Sequence, residues 1–162
     1  MVDPQKYALV ERERRWLVPT LPGDEPWAVR RIEDLYIAGS RLRLRRSRGH
    51  VEGAPESRFT LTQKVAGEDR DRGRQGLVTT IYLTEAEHEV FDVLPGERIA
   101  KTRLSFPPLG VDLFEGALDG LIIAEAEFVS DEEMAAFRPP AWCGTEITGD
   151  PSYRGSCLAG RG

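Results

Sequence analysis

The sequence has few of the residues that most often hold a cofactor or build a disulfide scaffold. Its 162 residues include only two cysteines, Cys143 and Cys157, and two histidines. The cysteines are too far apart in sequence for a metal knuckle, and two of them do not make a disulfide framework. We therefore expect both to be free thiols in the reducing cytoplasm.

Other absences exclude whole classes of function. No apolar run approaches the length that spans a membrane, and the first residues lack the basic and apolar regions of a signal peptide. There is neither a Gly-x-Ser-x-Gly elbow nor a Walker-type phosphate loop. The net charge of −5 argues against a surface dedicated to nucleic acid. We expect one cytoplasmic domain, residues 1–162, with no membrane partner.

Charge patterning is the main positive feature of the sequence, and it begins in residues 10–18. Five consecutive charged residues lie there between apolar ones. In a strand, alternation gives one face Glu11, Glu13 and Arg15 and the other face Arg12, Arg14 and Trp16. This pattern fits a charged edge strand. It also fits a strand with bulk water on one side and an enclosed polar space on the other.

The rest of the chain predicts more strands and a few short helices. Strand-like segments bounded by turn residues are 7–18, 27–38, 41–46, 58–65, 76–83, 97–106, 111–114 and 121–128. Capping boxes at Thr84 and Ser130 predict helix starts, and Asp150 before Pro151 predicts a last short helix. The fold class is therefore mainly β (α+β), as an eight-stranded antiparallel sheet or closed barrel with a few flanking helices.

Five of these strands carry charges on one face and apolar residues on the other. Alternation alone does not say which face looks inward, and a solvated charged face is the ordinary state. The signs, however, are sorted by strand: the basic residues are Arg41, Arg43, Arg45, Lys64, Lys101 and Arg103, and the acidic ones are Glu125 and Glu127. A closed eight-stranded sheet can hold one small ligand. An interior with both signs suits a polyanion bound with a divalent metal.

Taken in order, the charged motifs resemble those of the CYTH-domain family, the triphosphate tunnel metalloenzymes. The motifs are Glu11-Arg12-Glu13-Arg14-Arg15, Leu42-Arg43-Leu44-Arg45, Leu61-Thr62-Gln63-Lys64, Lys101-Thr102-Arg103, Ala124-Glu125-Ala126-Glu127-Phe128 and the ending from Glu146 to Tyr153. The resemblance implies an eight-stranded antiparallel tunnel that binds a triphosphate with Mg2+ or Mn2+. Activities known in the family are hydrolysis of tripolyphosphate or thiamine triphosphate, RNA triphosphatase action and adenylate cyclisation.

The resemblance also implies roles for individual residues. The implied metal ligands are Glu11, Glu13, Asp112, Glu125 and Glu127. The implied phosphate-binding residues are Arg41, Arg43, Arg45, Lys64, Arg74, Arg103 and Arg154. The candidate catalytic residues are Arg15 and Lys101.

Three departures from the family pattern bear on catalysis. Arg15 stands where the family usually has lysine, and because arginine does not release its proton, a general-base role there is excluded. Residues 74–78 lack both acids of the family's Arg-x-Glu-x-Glu strand, which predicts a weaker second metal site. After Tyr153 the family's asparagine is missing and Arg154 keeps only the charge.

These observations favour metal-dependent hydrolysis of a triphosphate compound, most simply inorganic tripolyphosphate. An adenylate cyclase is an alternative, although the sequence has no mark of a purine pocket. A non-catalytic sensor of triphosphate or nucleotide is another, because of the lost acids. A homodimer is one assembly to test. The polar segment 66–75 is expected to be a solvated loop or, alternatively, a lid over a tunnel mouth.

Overall fold

The computed structural model describes residues 6–49, 56–66 and 74–161, without the side chains of residues 74 and 75. The strands are β1 Leu9–Leu17, β2 Ala28–Ile37, β3 Leu42–Arg48, β4 Ser57–Ala66, β5 Arg74–Leu83, β6 Gly96–Phe106, β7 Leu109–Phe114 and β8 Ile122–Glu127. They close an antiparallel barrel in the order β1-β5-β4-β3-β2-β6-β7-β8. The predicted fold class and all eight predicted strands are confirmed, with ends shifted by a few residues. Most of the predicted loop 66–75, residues 67–73, lies outside the described residues.

The helices are short and sit at the barrel's surface and end. They are α1 Glu85–Asp92, α2 Asp131–Ala136 and α3 Gly155–Ala159. Thr84 caps α1 in a complete capping box, as predicted. At α2 the predicted box is half formed, because the Glu133 carboxylate accepts from the backbone N–H of Val129 instead of Ser130. None of the helices in the described ranges is long and apolar enough to cross a bilayer.

At the predicted last helix, the cap of Asp150 serves a different element. Asp150 accepts from the backbone N–H of Ser152 and begins the 3-10 turn Pro151–Tyr153, and α3 follows only after Arg154. The fixed backbone torsion of Pro151 suits the first turn of either helix type. The predicted cap and first-turn Pro are therefore confirmed; the short helix they begin is a 3-10 helix, and α3 is a separate helix after it.

Strand β1 joins two parts of the barrel. Residues 9–12 pair with β5, residues 13–17 pair with β8, and the register shifts between Glu11 and Arg12. The edge-strand interpretation is therefore wrong. The outer face of β1 is partly covered and partly in contact with water: Arg12 bonds Asp131 at 2.7 Å, Arg14 bonds Glu146 at 2.8 Å, Trp16 is 2% exposed, and Val10 is 41% exposed.

The apolar faces of the strands point outward under the helices. One cluster includes Trp16, Val111, Ala124, Ala126, Phe128 and Met134 and partly buried Leu104, and it lies against α2. A second cluster includes Leu35, Ile37, Leu44 and Leu61, with Leu42 and with Phe91 of α1. Burying a side chain such as Leu44, which is 1% exposed, contributes about 2 kcal/mol. The charged faces are thereby directed into the barrel.

A third cluster fills part of the barrel's interior with apolar side chains. Inward-facing Ile99, Phe114 and Ile123 pack against Leu158 of α3 and against Ile147. Gly155 begins α3 where any side chain would collide, because a Cβ there would lie 1.9 Å from the Tyr36 hydroxyl oxygen. The C-terminal segment thus forms an apolar floor beneath the charged cavity.

Candidate active site

The charged faces of the strands line a cavity of about 110 Å³ inside the barrel. Its charged lining residues are Glu11, Glu13, Arg15, Arg43, Arg45, Lys64, Lys101, Asp112, Glu125 and Glu127. A wider cavity of about 370 Å³ shares several of these residues and adds Arg41 and Arg154. The structure therefore brings together, in one connected space, most of the site residues named from the sequence.

Three carboxylates gather where β1 lies beside β8. Glu13, Glu125 and Glu127 each offer an oxygen within 4.8 Å of the others. The register sets this directly, since Glu13 lies opposite Glu127 and Arg15 opposite Glu125. Three oxygens at this spacing can coordinate one divalent cation, which prefers carboxylate ligands. We call these three residues the acid cluster.

The acid cluster is electrostatically strained in the absence of a cation. Burial, with the nearby charges of Glu125 and Glu11, raises the pKa of Glu13 to about 7. Partial desolvation and the charge of Glu125 also raise the pKa of Glu127. Burial opposes ionisation of Glu125 too, but the charges of Arg103 and Lys101 hold the pKa of Glu125 below its usual range. The three carboxylates therefore do not all ionise readily together.

Glu11, the fourth glutamate named as a metal ligand, lies outside the acid cluster. Its two carboxylate oxygens accept hydrogen bonds from Lys64 Nζ at 2.7 and 3.0 Å. Lys64 would have to leave Glu11 before it could bind a phosphate through the same hydrogens. A predicted metal ligand, Glu11, and a predicted phosphate-binding residue, Lys64, are therefore bonded to each other.

Asp112 is placed as an ion-pair partner. It is 1% exposed and accepts from Lys101, and its two oxygens accept from Nε and Nη2 of Arg103, each at 2.7 Å. Arg103 also donates to Glu125. Both oxygens of Asp112 are occupied by cations, so this geometry favours a structural role over the metal-ligand role expected from the resemblance.

On the side of the cavity formed by β2 and β3, Arg43 and Arg45 lie beside the buried carboxylate of Asp34. Arg45 donates to both oxygens of Asp34, at 2.6 and 2.7 Å, and Nε of Arg43 lies 3.9 Å from the same carboxylate. The Arg43 Nε is buried without a hydrogen-bond partner among the described residues. A buried donor of this kind is costly to leave unpaired, and an anion in the cavity would relieve it.

Arg15 is fixed by the C-terminal segment. Its Nη1 donates to the carbonyl oxygen of Tyr153 at 2.8 Å, its Nε lies 3.3 Å from Glu13, and its backbone N–H donates to Thr148 Oγ1. Its side chain is 9% exposed. This guanidinium is held beside the acid cluster and cannot move away without breaking its hydrogen bond to Tyr153.

The remaining predicted residues are less central. Arg41 and Arg154 line only the wider cavity. Arg74 begins β5, but its side chain lies outside the described residues. Arg103 reaches the site through Asp112 and Glu125.

Sequence reasoning missed Asp34 and Tyr36 of β2. Asp34 is 2% exposed and lies opposite Arg45, and Tyr36 lies opposite Arg43 and lines the cavity. Burial and the charge of Asp34 raise the pKa of Tyr36 to about 12, so its hydroxyl keeps its proton. Alternation puts Asp34 and Tyr36 on one face of β2, but Arg31 and Glu33 charge the other face equally, so the sequence did not indicate which face of β2 points inward.

Most of the chain is similar to a protein that is named for its activity. It is 32% identical over 160 residues to the inorganic triphosphatase of Nitrosomonas europaea, covering 93% of this chain and 97% of that protein. It is 50% identical over 48 residues to the inorganic triphosphatase of Acetivibrio thermocellus, which is 30% of each chain.

A solved structure agrees with this similarity. The crystal structure of an inorganic triphosphatase superposes with a TM-score of 0.57 and 28% identity, covering 93% of this chain and 95% of that one. No model of a protein family matches the sequence. Since the Nitrosomonas europaea relative is matched over nearly its full length, the chain belongs to the family of the inorganic triphosphatases.

Proposed function

We propose that the protein is a divalent-metal-dependent hydrolase of triphosphate compounds and that inorganic tripolyphosphate is its substrate. The observation that carries this proposal is the meeting of the acid cluster and phosphate-type cations in one enclosed cavity. The name of the relative from Nitrosomonas europaea supports the choice of substrate. In finer terms, we propose a CYTH-domain protein whose single domain, residues 1–162, works in the cytoplasm.

The residues present fit a divalent cation, Mg2+ or Mn2+. Glu13, Glu125 and Glu127 would hold it, because their oxygens converge and their mutual repulsion favours a compensating charge. When bound, such an ion supplies Lewis-acid activation of a phosphoryl group. The raised pKa of Glu13 predicts that cation binding competes with a proton at this carboxylate.

The chain's own cations would bind and orient the phosphates. Arg43, Arg45 and Lys64 line the cavity opposite the acid cluster, where charge-assisted hydrogen bonds to phosphate oxygens are strong. Arg15 lies 3.3 Å from Glu13, and the charge of Lys101 acts on Glu125, so both would stabilise negative charge that develops as the phosphoanhydride bond breaks. Because an arginine side chain does not serve as a base, the role of Arg15 is electrostatic.

The enclosure strengthens these effects. The apolar floor of Ile99, Phe114, Ile123 and Leu158 keeps bulk water from one side of the cavity. Charges that face each other in such a space interact more strongly than they do in water. The site is therefore organised to hold a compact, highly charged anion.

A phosphate-release assay tests the proposal directly. Tripolyphosphate, ATP and thiamine triphosphate are each incubated with the protein and Mg2+ or Mn2+, and free phosphate is measured with malachite green. Release from tripolyphosphate in preference to the other two is the expected result. Formation of cyclic AMP from ATP would instead identify an adenylate cyclase.

A non-catalytic sensor remains the second candidate, and strand β5 favours it. Gly76, which cannot supply a carboxylate, lies opposite Glu11 in the barrel wall. Tight binding of tripolyphosphate without phosphate release would support the sensor. In either case binding should require the divalent cation, since the acidic residues otherwise repel the anion. Calorimetric binding that is unchanged in excess EDTA would remove the metal from the proposal.

A further inference from the structure

Asp34 lies in the wall of the cavity but cannot touch a ligand inside it. Its position in β2 opposite Arg45 puts its carboxylate on the inner face of the barrel. The side chain has no exposed surface, and the residue lines neither of the two connected cavities. Apart from the repulsion by its charge, any influence of Asp34 on a bound triphosphate must therefore pass through the residues it holds.

Arg45 is the residue that Asp34 holds most closely. Both oxygens of Asp34 are used, one by Nε and one by Nη2 of Arg45, which is the planar fork that fixes a guanidinium in orientation. The remaining nitrogen, Nη1, has no acceptor within the described part of the chain, and Arg45 lines the inner cavity. Asp34 thus determines which edge of Arg45 faces the ligand space.

The same carboxylate weakens attraction between the site and an anion. Asp34 is a negative charge directly behind two predicted phosphate ligands, Arg45 and, at 3.9 Å, Arg43. If tight binding were the only requirement, an uncharged residue would serve better. Its presence makes sense if the orientation of Arg45 matters more than the strength of ground-state binding.

We propose that Asp34 is a positioning residue of the triphosphatase site. It orients the Arg45 guanidinium toward the bound triphosphate, which raises kcat and weakens ground-state binding of the substrate. The inference rests on the proposed function and assigns different roles to the carboxylates of the site. Glu11, Glu13, Glu125 and Glu127 line the cavity and face the ligand, whereas Asp34 acts only through its arginine partner.

The first test is Asp34→Asn, which keeps the shape and removes the charge. We expect kcat for tripolyphosphate to fall by about tenfold or more, and KM to fall by roughly threefold, because the freed Arg45 binds the ground state more tightly. Glu33→Gln is the matched control: it removes one negative charge from the outer face of the same strand, where Glu33 is 41% exposed and pairs with Arg31. Kinetic constants of Asp34→Asn that match those of Glu33→Gln would overturn the proposal.

A double-mutant cycle with Arg45→Gln separates positioning from a general structural effect. If Asp34 acts through Arg45, adding Asp34→Asn to Arg45→Gln should change kcat by less than about twofold. An equal loss in both backgrounds would show that Asp34 acts independently and would refute the inference. If Asp34→Asn alone does not fold, the double variant is compared with Arg45→Gln alone, and a fall in kcat of more than about twofold between these two would refute the inference.

A binding measurement tests the role of Asp34 even if the protein does not catalyse hydrolysis, so the two proposals can fail independently. If the wild-type protein releases no phosphate, the hydrolase proposal fails, and calorimetry with tripolyphosphate and Mg2+ then tests Asp34. Tighter binding by Asp34→Asn than by wild type, abolished in the Arg45→Gln background, would support the positioning role. Equal affinity of Asp34→Asn and wild type would overturn it.

Discussion

Two sets of carboxylates in the barrel differ in how their charges are compensated. In the acid cluster, Glu13 and Glu127 crowd against Glu125, and burial with this repulsion raises the pKa of Glu13 to about 7. Asp34 is more deeply buried than any of these three, yet the charge and hydrogen bonds of Arg45 outweigh the effect of burial and hold the pKa of Asp34 below its usual range. Asp112 is likewise paired with two cations.

This difference in charge compensation distinguishes carboxylates that stabilise the fold from carboxylates that bind a ligand. A buried acid with a forked arginine is satisfied within the protein and is expensive to alter. Crowded acids destabilise the folded state, and such an arrangement is retained where a bound cation compensates it. The predictions below test this distinction, from the largest expected change in free energy to the smallest.

The largest effect is expected from breaking a satisfied pair. Asp112→Asn should lower the free energy of unfolding by about 3–5 kcal/mol, because the side chain of Lys101 is 8% exposed and loses its carboxylate partner. Urea denaturation followed by circular dichroism measures the change. A loss below about 1 kcal/mol would contradict the view that Asp112 serves the fold.

The acid cluster should give the opposite result, with lost activity and retained stability. Glu127→Gln should lower turnover of tripolyphosphate by on the order of 100-fold or more, equivalent to about 2.7 kcal/mol of transition-state stabilisation. The thermal midpoint should stay constant or rise, since one repulsion with Glu125 is removed. The control is Glu132→Gln on the surface of α2. Near-normal turnover of Glu127→Gln would exclude Glu127 from the metal site.

A pH titration should reveal the proton that the acid cluster retains. The pKa of Glu13 is raised from 4.5 to about 7 in the folded protein, so this carboxyl favours folding below pH 4.5 and that contribution is lost as pH rises through 7. Between these values stability should fall by about 1.4 kcal/mol per pH unit, or roughly 2 kcal/mol from pH 5.5 to 7.

The comparison that isolates this proton is wild type against Glu13→Gln, both in EDTA. The glutamine variant should lack this part of the pH dependence, because its side chain does not titrate. Free energies of unfolding measured at several pH values provide the check. Parallel curves for the two proteins would mean that Glu13 ionises normally in the folded state.

The regular alternation of the sequence was sufficient for the eight strands, whereas closure into a tunnel was implied by the resemblance to a family. Residues such as Leu42 and Leu44 alternate with Arg43 and Arg45, and closure of the sheet then leaves only one arrangement with the apolar side under helices. The environment of the outer face of β1 could not be predicted from alternation. Arg12 and Arg14 are covered by acids and carbonyl groups more than 100 residues away in the chain, which local patterning does not indicate.

Within the site, the sequence indicated which residues meet but not how they pair. Whether an aspartate binds a metal or an arginine depends on its cross-strand neighbours, and these follow from register. Asp112 lies opposite Arg103, and Asp34 opposite Arg45. Only after the register is known do these two acids separate from Glu125 and Glu127.

The smallest effect is expected where ion pairs lie outside the barrel. Arg31 contacts two carboxylates, Glu33 at 2.9 Å and Glu115 at 3.1 Å, as many acids as Arg103 contacts inside. Its side chain is 52% exposed, so water and salt screen both pairs. Arg31→Gln should therefore change the free energy of unfolding by less than about 1 kcal/mol and leave turnover intact, and high salt should erase even that change. Denaturation at low and high sodium chloride measures it. If the loss instead equalled that of Asp112→Asn, the number of contacts and not their burial would set the value of a pair, and the distinction between the two sets of carboxylates would fail.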